Sequence, residues 1–163
     1  MAKKKDGKKA AKKHPSLSET QEEAEAKALE LIRKQHGYAS IERRDVDVGD
    51  GSCRPDGVSS TRGKIVEVYA RVGQLRSAQT KKVATDILKL ATIRQQPGFE
   101  KSRCEIYFVD DEARDSVRGW MKEAAAEFGV QLKLVPDFPD KLRAKLVKAQ
   151  KRQATGTAKK RKP

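Results

Sequence analysis

The stretch KIVEVYARV, residues 64–72, constrains the fold of this chain more than any other segment. Apolar residues occupy every second position along it, and that period of two is typical of a β-strand with two different faces. One face holds valines and an alanine, while the other holds Ile65, Glu67, Tyr69 and Arg71. We therefore predict a central strand at 64–72, with an acidic side chain, Glu67, in the middle of its most apolar part.

Glu67 is the least expected residue of this strand because a buried, unpaired carboxylate costs several kcal/mol. It therefore requires a cation, a hydrogen-bonding partner or a sheet face that is open to solvent. The simplest interpretation is that the face with Glu67 is solvated, as one face of many strands is. A second carboxylate, Asp56, lies at the tip of the preceding predicted strand in the step Arg54-Pro55-Asp56-Gly57. Asp56 and Glu67 are thus the clearest candidate site residues in the chain.

Hydrophobic periodicity and turn residues divide the rest of the chain into helices and strands. Early strands arrive consecutively and late ones alternate with helices, so we predict an α/β fold with a mixed central sheet sandwiched by helices. Trp120, in the third helix, is expected to lie in the core. The predicted order is helix 19–35, strands within 38–48, 53–59 and 64–72, helix 77–95, strand 104–111, helix 111–129, strand 130–136 and helix 138–153.

Positive charge is concentrated at the two ends of the chain. Of the net charge of +14 over 163 residues, residues 1–14 carry +6 and residues 148–163 carry +7, so the middle is almost neutral. We predict a disordered basic arm at 1–15, one α/β domain at 16–147 and a basic tail at 148–163. Such arms bind phosphate backbones without reading sequence, which favours nucleic acid as the partner, and solubilising tails are the alternative.

The composition excludes several classes of protein. No run of about 18 apolar residues occurs, so a membrane span is not expected. The lysine-rich start lacks the apolar segment of a secretory signal, and the expected location is cytoplasmic and nucleoid-associated. Two cysteines and two histidines are too few for a disulfide framework, a four-ligand zinc site or a site built on several imidazoles. The chain also lacks a phosphate-binding glycine loop and a nucleophile elbow.

The segments PD, ending at Asp56, and EVY, starting at Glu67, are separated by ten residues and resemble the PD-(D/E)xK signature of restriction-endonuclease-like nucleases. Within residues 20–95, a glutamate-rich helix, a Gly-Tyr pair and a VEV strand are similar to those of archaeal Holliday-junction resolvases. The predicted order of a helix, three strands and a helix agrees with the core of that superfamily. The resemblance implies a restriction-endonuclease-like core of order α-β-β-β-α-β-α-β-α.

Carried over to this chain, the resemblance assigns Asp56 and Glu67 to a magnesium ion, with Glu23 or its neighbour Glu22 as a third carboxylate. Mg²⁺ prefers a few hard oxygen ligands and keeps waters, which suits two carboxylates at a sheet edge. The ion would polarise the scissile phosphate and lower the pKa of an attacking water. The implied function is a magnesium-dependent endonuclease or resolvase that cleaves phosphodiester bonds of structured DNA, with DNA favoured over RNA.

The chain departs from the family pattern at Tyr69, which stands where the signature has its lysine. Arg71 on the same strand, or Lys81 and Lys82 on the next helix, could supply the missing positive charge. Tyr69 itself either stacks on a nucleobase or, as we favour, packs beside that helix. Without a replacement for the lysine, the chain would be a catalytically inactive nuclease-fold subunit of a homodimer or larger assembly. A basic protein that binds RNA or the ribosome is a further alternative.

Overall fold

The computed structural model of the protein describes residues 17–37 and 40–160, the last five of them as backbone only. The predicted basic arm at 1–15 and Tyr38, a predicted strand position, lie outside the described residues. The helices and strands follow one another in this order: α1 (Leu17–His36), β1 (Ile41–Glu42), β2 (Val46–Val48), β3 (Gly51–Cys53), β4 (Gly57–Ser59), β5 (Lys64–Tyr69), α2 (Ser77–Arg94), β6 (Arg103–Phe108), α3 (Asp111–Asp115), α4 (Trp120–Glu127), β7 (Val130–Leu134) and α5 (Asp140–Lys160).

Five of the strands form one mixed sheet in the order β1-β4-β5-β6-β7. β1, β4 and β5 are antiparallel neighbours, whereas β5, β6 and β7 run parallel to one another. Helices fill the connections between the parallel strands, because parallel pairing requires a long crossover. The predicted α/β fold with a mixed sheet between helices is confirmed, and β5 is its central strand.

A hydrophobic core lies on each face of the sheet. The first core packs α2 and α4 against Ile65 and Tyr69 of β5. The second core packs α1 and α5 against Val66 and Val68 of the same strand. β5 is buried along its whole length, so its alternating pattern separates two cores rather than a core from solvent.

The predicted strand at 53–59 is two separate strands. β3 pairs with β2 in a small hairpin of its own, whereas β4 pairs with β5 in the main sheet. The residues between β3 and β4 form no strand, since Pro55 has no N–H to donate to a ladder and ends the first pairing. Asp56 therefore stands immediately before β4, at the point where the chain joins the main sheet.

The predicted helix at 111–129 is also divided, into α3 and α4. The break falls before Gly119, whose φ of 57° lies in the left-handed region that favours glycine. α4 consequently starts at Trp120, whose side chain is 69% exposed, so its expected place in the core is wrong. Met121 occupies the buried position instead, because the break changes which residues of the helix face the sheet.

The C-terminal helix extends further than the sequence predicts. α5 ends at Lys160 rather than near 153, and so includes most of the segment expected as a basic tail. Leu142 and Leu146 bury the first half of this helix in the second core, where it contacts α1. In the part of the chain that the structure describes, no helix is both long and apolar enough to cross a membrane.

Candidate active site

A hydrogen bond from the backbone of β5 holds the Asp56 side chain beside that strand. Its Oδ2 accepts from the N–H of Val68 at 2.9 Å, just beyond the residues that pair β4 with β5. Gly57 lets the chain come this close, since a Cβ there would strike Ile41 and lie 2.8 Å from a methyl group of Val66. The Pro-Asp-Gly step thus places a carboxylate beside the middle of β5.

Glu67 is buried on the face of the sheet that packs against α2. Glu67 and Tyr69 are each 2% exposed, and Ile65 is fully buried. The interpretation of this face as solvated is therefore wrong, because α2 covers it. Glu67 Oε1 accepts a hydrogen bond from Lys89 Nζ at 2.8 Å. The buried carboxylate thus has the cationic partner that its burial requires.

Three charged residues of α2 lie on the side of the helix that faces Glu67. Lys82, Asp86 and Lys89 are spaced four and three positions apart, which puts them on one side of a helix. Lys82 Nζ lies 2.9 Å from Asp86 Oδ2, and Lys89 Nζ lies 3.6 Å from Asp86 Oδ1. We call these three residues, together with Asp56 and Glu67, the charged cluster.

The pKa of the Glu67 carboxyl group lies well above its ordinary value. Burial, together with the negative charges of Asp56 and Asp86, raises the pKa of Glu67 from 4.5 to about 8. The hydrogen bond and the charge of Lys89 act in the opposite direction but do not cancel this effect. Near neutral pH the Glu67 carboxyl therefore holds a proton unless a further cation approaches, which means that the charged cluster is short of positive charge.

Both lysines of the charged cluster remain protonated. Burial lowers the pKa of Lys89, but the hydrogen bond to Glu67 and the surrounding carboxylates raise it above its ordinary value. Burial also lowers the pKa of Lys82, and Asp86, followed by Glu67, raises it to a net increase. The side chain of Lys89 is 25% exposed and that of Lys82 50% exposed. Both ammonium groups can therefore also contact a ligand at the surface.

Arg43 connects the charged cluster to α1. Its guanidinium donates to Asp56 Oδ1 at 3.0 Å and to Glu25 Oε2 at 2.7 Å. Burial and the charge of Asp56 raise the pKa of Glu25, against the effect of Arg43. Glu25, rather than the predicted Glu23, is thus the helix carboxylate near Asp56. Glu23 forms an ion pair with Lys145 of α5 at 2.8 Å, because residues two positions apart on a helix face different sides.

Tyr69 and Arg71 make their contacts with the core and with α5. Tyr69 packs in the first core beside α2, as we favoured from the sequence, with its ring centroid 5.3 Å from that of Phe108. Burial raises the pKa of its hydroxyl to about 12, so the group is neutral at physiological pH. Arg71 lies beyond the end of β5 and donates to Gln153 Oε1 at 3.3 Å. Of the cations proposed to replace the signature lysine, Lys82 lies in the charged cluster.

Sequence reasoning missed four residues of the site, namely Glu25, Arg43, Asp86 and Lys89. The spacing of the last two with Lys82 along α2 was a signal that could have found them. Arg43 and Glu25 offer no comparable pattern, since one lies in a loop and the other in a helix with many glutamates. Within the described residues, no three His, Cys, Asp or Glu side chains are grouped so as to hold a metal ion.

Comparison of the chain with protein-family models, with curated proteins and with solved structures finds no match. The chemistry of the site therefore has to be inferred from its own residues. The most informative of these are a buried glutamate, a neighbouring aspartate and a lysine that reaches them from α2.

Proposed function

We propose that the protein is a metal-dependent nuclease with a restriction-endonuclease-like core that cleaves phosphodiester bonds of structured DNA. The observation that carries the proposal is the buried carboxylate of Glu67, which lies beside Asp56 and 2.8 Å from the ammonium group of Lys89. Two carboxylates and a lysine are the groups that the PD-(D/E)xK signature combines. In this chain the lysine comes from α2, because the strand position of the signature is Tyr69.

The side chains of the site fit a magnesium ion. Mg²⁺ is commonly bound through one or two carboxylates and keeps several of its waters, and Asp56 and Glu67 supply that number. Glu67 would have to release its proton to bind the ion, so the raised pKa makes metal affinity increase with pH. When bound, the ion would polarise the phosphate and lower the pKa of a water molecule.

Lys89 is the residue that we expect to replace the signature lysine. An ammonium group has three N–H donors, and the side chain is held from one direction by Glu67 and Asp86. A donor on the exposed part of this group could contact a non-bridging oxygen of the phosphate. Because Lys89 is held in place before the substrate arrives, it would stabilise the charge that develops there without further reorganisation.

Arg43 and the backbone of β5 are expected to position Asp56. One carboxylate oxygen accepts from Arg43 and the other from the N–H of Val68. Both contacts are made by elements outside α2, so the orientation of Asp56 does not depend on the lysines. This arrangement would hold the Asp56 carboxylate in a fixed place while Glu67 gains or loses its proton.

A DNA-binding subunit without catalytic activity is the second candidate. The position of Tyr69 favours it, since this side chain belongs to the first core and provides no ammonium group to β5. In that case Lys82 and Lys89 would only neutralise the carboxylates of the charged cluster. The two candidates differ in whether metal ions permit cleavage.

Cleavage assays with branched, single-stranded and supercoiled DNA distinguish the two candidates. The wild type should cleave with Mg²⁺ or Mn²⁺ and not in EDTA. Glu67→Gln, Asp56→Asn and Lys89→Met should each reduce the rate by about 10²–10³-fold, the loss typical of a removed electrostatic contact to the transition state. Lys89→Arg keeps the positive charge and should retain part of the activity.

Lys101→Met is the matched control because Lys101 is an exposed lysine just before β6, at the end of the parallel strands where they begin. It should cleave like the wild type. If the wild type binds these DNA molecules but cleaves none of them with either metal, the subunit function replaces the nuclease. Normal cleavage by Lys89→Met would show that Lys89 does not replace the signature lysine.

A further inference from the structure

Helix α5 carries a stripe of positive charge on one side. No acidic residue follows Asp140 in the sequence, and exposed cations recur at Lys141, Lys145, Lys148 and Arg152. Their spacing of four, three and four residues places them along one side of the helix. The other side is buried in the second core. The stripe is therefore a row of cations that face solvent from a helix packed into the domain.

The side-chain amide of Gln150 fixes this helix to the segment that follows β5. Its Oε1 accepts from the N–H of Val72, and its Nε2 donates to the carbonyl of the same residue, each at 2.9 Å. Arg71 donates to Gln153, three residues further along the helix. Val72 follows Glu67 by five positions in the chain, so α5 is braced against the strand that carries the candidate active site.

The dimensions of the stripe suit the backbone of duplex DNA. Its first and last cations are eleven residues apart, which is about 16 Å of helix. Successive phosphates of one strand advance by about 3.4 Å, so the stripe spans roughly five of them. The stripe and the charged cluster lie on opposite faces of the sheet, since α5 packs in the second core and Glu67 faces α2.

The ion pairs of the described residues distinguish two parts of α5. Lys145 is neutralised by Glu23. By contrast, none of the ion pairs among residues 17–37 and 40–155 involves the exposed cations of the next turns, which are Lys148, Lys151 and Arg152.

We infer that α5 is a phosphate-binding helix that docks duplex DNA, with Lys148 and Arg152 of the stripe and the neighbouring exposed Lys151 as its main contacts. The inference rests on the proposed function, since it takes the substrate to be DNA. A free basic tail attracts DNA in any orientation. Cations on a braced helix meet the backbone in one register.

Anisotropy measurements with a short fluorescent duplex, in EDTA and over a range of KCl concentrations, test this inference. K148Q/K151Q/R152Q should bind at least about tenfold more weakly than the wild type at moderate salt. The slope of log Kd against log salt should fall by about 2.7, because each lost phosphate contact removes about 0.9. K148R/K151R keeps the charges and should bind like the wild type.

K34Q/K101Q/R103Q is the matched control, since it removes three exposed cations at the opposite end of the parallel strands. The inference is overturned if this control loses as much affinity and slope as the α5 variant. It is also overturned if the α5 variant loses binding to phosphatidylserine vesicles while its DNA binding is unchanged. A wild type that binds DNA through α5 but never cleaves it would refute the nuclease and leave this inference standing.

Discussion

Each face of the sheet buries one glutamate among charged neighbours, Glu67 toward α2 and Glu105 toward α1, and their electrostatics differ. Glu105 is fully buried. Its carboxylate lies 2.8 Å from Lys64 Nζ and 2.5 Å from Lys133 Nζ, and it accepts from the Tyr107 hydroxyl at 2.9 Å. Burial raises the pKa of Glu105, but the three donors outweigh it and leave the pKa below its ordinary value.

The two glutamates differ in how many positively charged donors are available for each carboxylate. Glu105 is a single carboxylate between two lysines, so its group of charges has more positive than negative charge. Glu67 shares Lys89 with Asp86 and also faces Asp56, so its group lacks positive charge. Strongly raised carboxyl pKa values of this kind cluster at functional sites. This difference supports the proposed chemistry on the α2 face and indicates a structural role for Glu105.

Glu105→Gln should produce the largest change in stability. The substitution removes the ion-pair partner of Lys64, which is fully buried, and breaking a buried pair from one side costs about 3–5 kcal/mol. Chemical denaturation at pH 7 should show this decrease in the free energy of unfolding. K64M/E105Q should recover most of the loss, because the fully buried charge is gone and Lys133, which also loses its partner, is partly exposed. A Glu105→Gln variant as stable as the wild type would contradict the structural role.

Glu67→Gln should act in the opposite direction and only at high pH. A pKa raised from 4.5 to about 8 means that ionisation destabilises the folded state, so the wild type loses stability as pH rises from about 4.5 to 8. The neutral amide avoids this loss. At pH 8.5, in EDTA, we expect the variant to be more stable by about 2 kcal/mol, after allowing for the lost ion pair with Lys89.

Denaturation curves at pH 5 provide the control for Glu67→Gln. At this pH the folded wild type already holds a proton on Glu67, so the variant should gain little. An equal gain at pH 5 and pH 8.5 would contradict the raised pKa. Asp137→Asn, which removes an exposed carboxylate near β7, is the matched substitution to measure at both pH values.

His36→Gln should have the smallest effect, at low pH. His36 Nε2 lies 3.0 Å from the hydroxyl of Tyr107. Burial and the charges of Lys64, Lys133 and Arg103 lower its pKa, against the attraction of Glu105. The wild type therefore loses stability as pH falls below about 6.5. The variant should lack this decrease, which we expect to be below about 1 kcal/mol because the ring is partly exposed. Melting curves at pH 5 and pH 7.5 measure it.

The order of the elements and the central strand could be predicted because each depends on local pattern. Alternation along β5 and the glycine that ends α1 are readable without knowledge of neighbours. The burial of Glu67 could not be predicted, since it depends on α2 lying across a face that the pattern alone assigns to solvent. The exposure of Trp120 was missed for a related reason, because one residue in a left-handed conformation divides the helix.

The part of the candidate site that two neighbouring strands contribute was predictable from the sequence. Asp56 immediately precedes β4 and Glu67 lies in β5, and the spacing between them identifies both. Glu23 or Glu22 was named and Glu25 was missed because composition alone cannot decide which side of α1 faces the sheet. Lys89 was missed since its contact with Glu67 joins two elements and spans 22 residues. Contacts of this kind become visible only when the helix has been placed on the sheet.

Relatives of this protein should be recognisable by a glycine as well as by charged residues. A Cβ at position 57 would strike Ile41 and displace the Asp56 carboxylate from the N–H of Val68. A useful search pattern is therefore Asp-Gly, nine residues, Glu, fourteen residues, Lys, three residues, Asp, two residues, Lys. Chains that keep this spacing are candidates for the same site even where overall similarity has been lost. Chains with a larger residue after the aspartate are not.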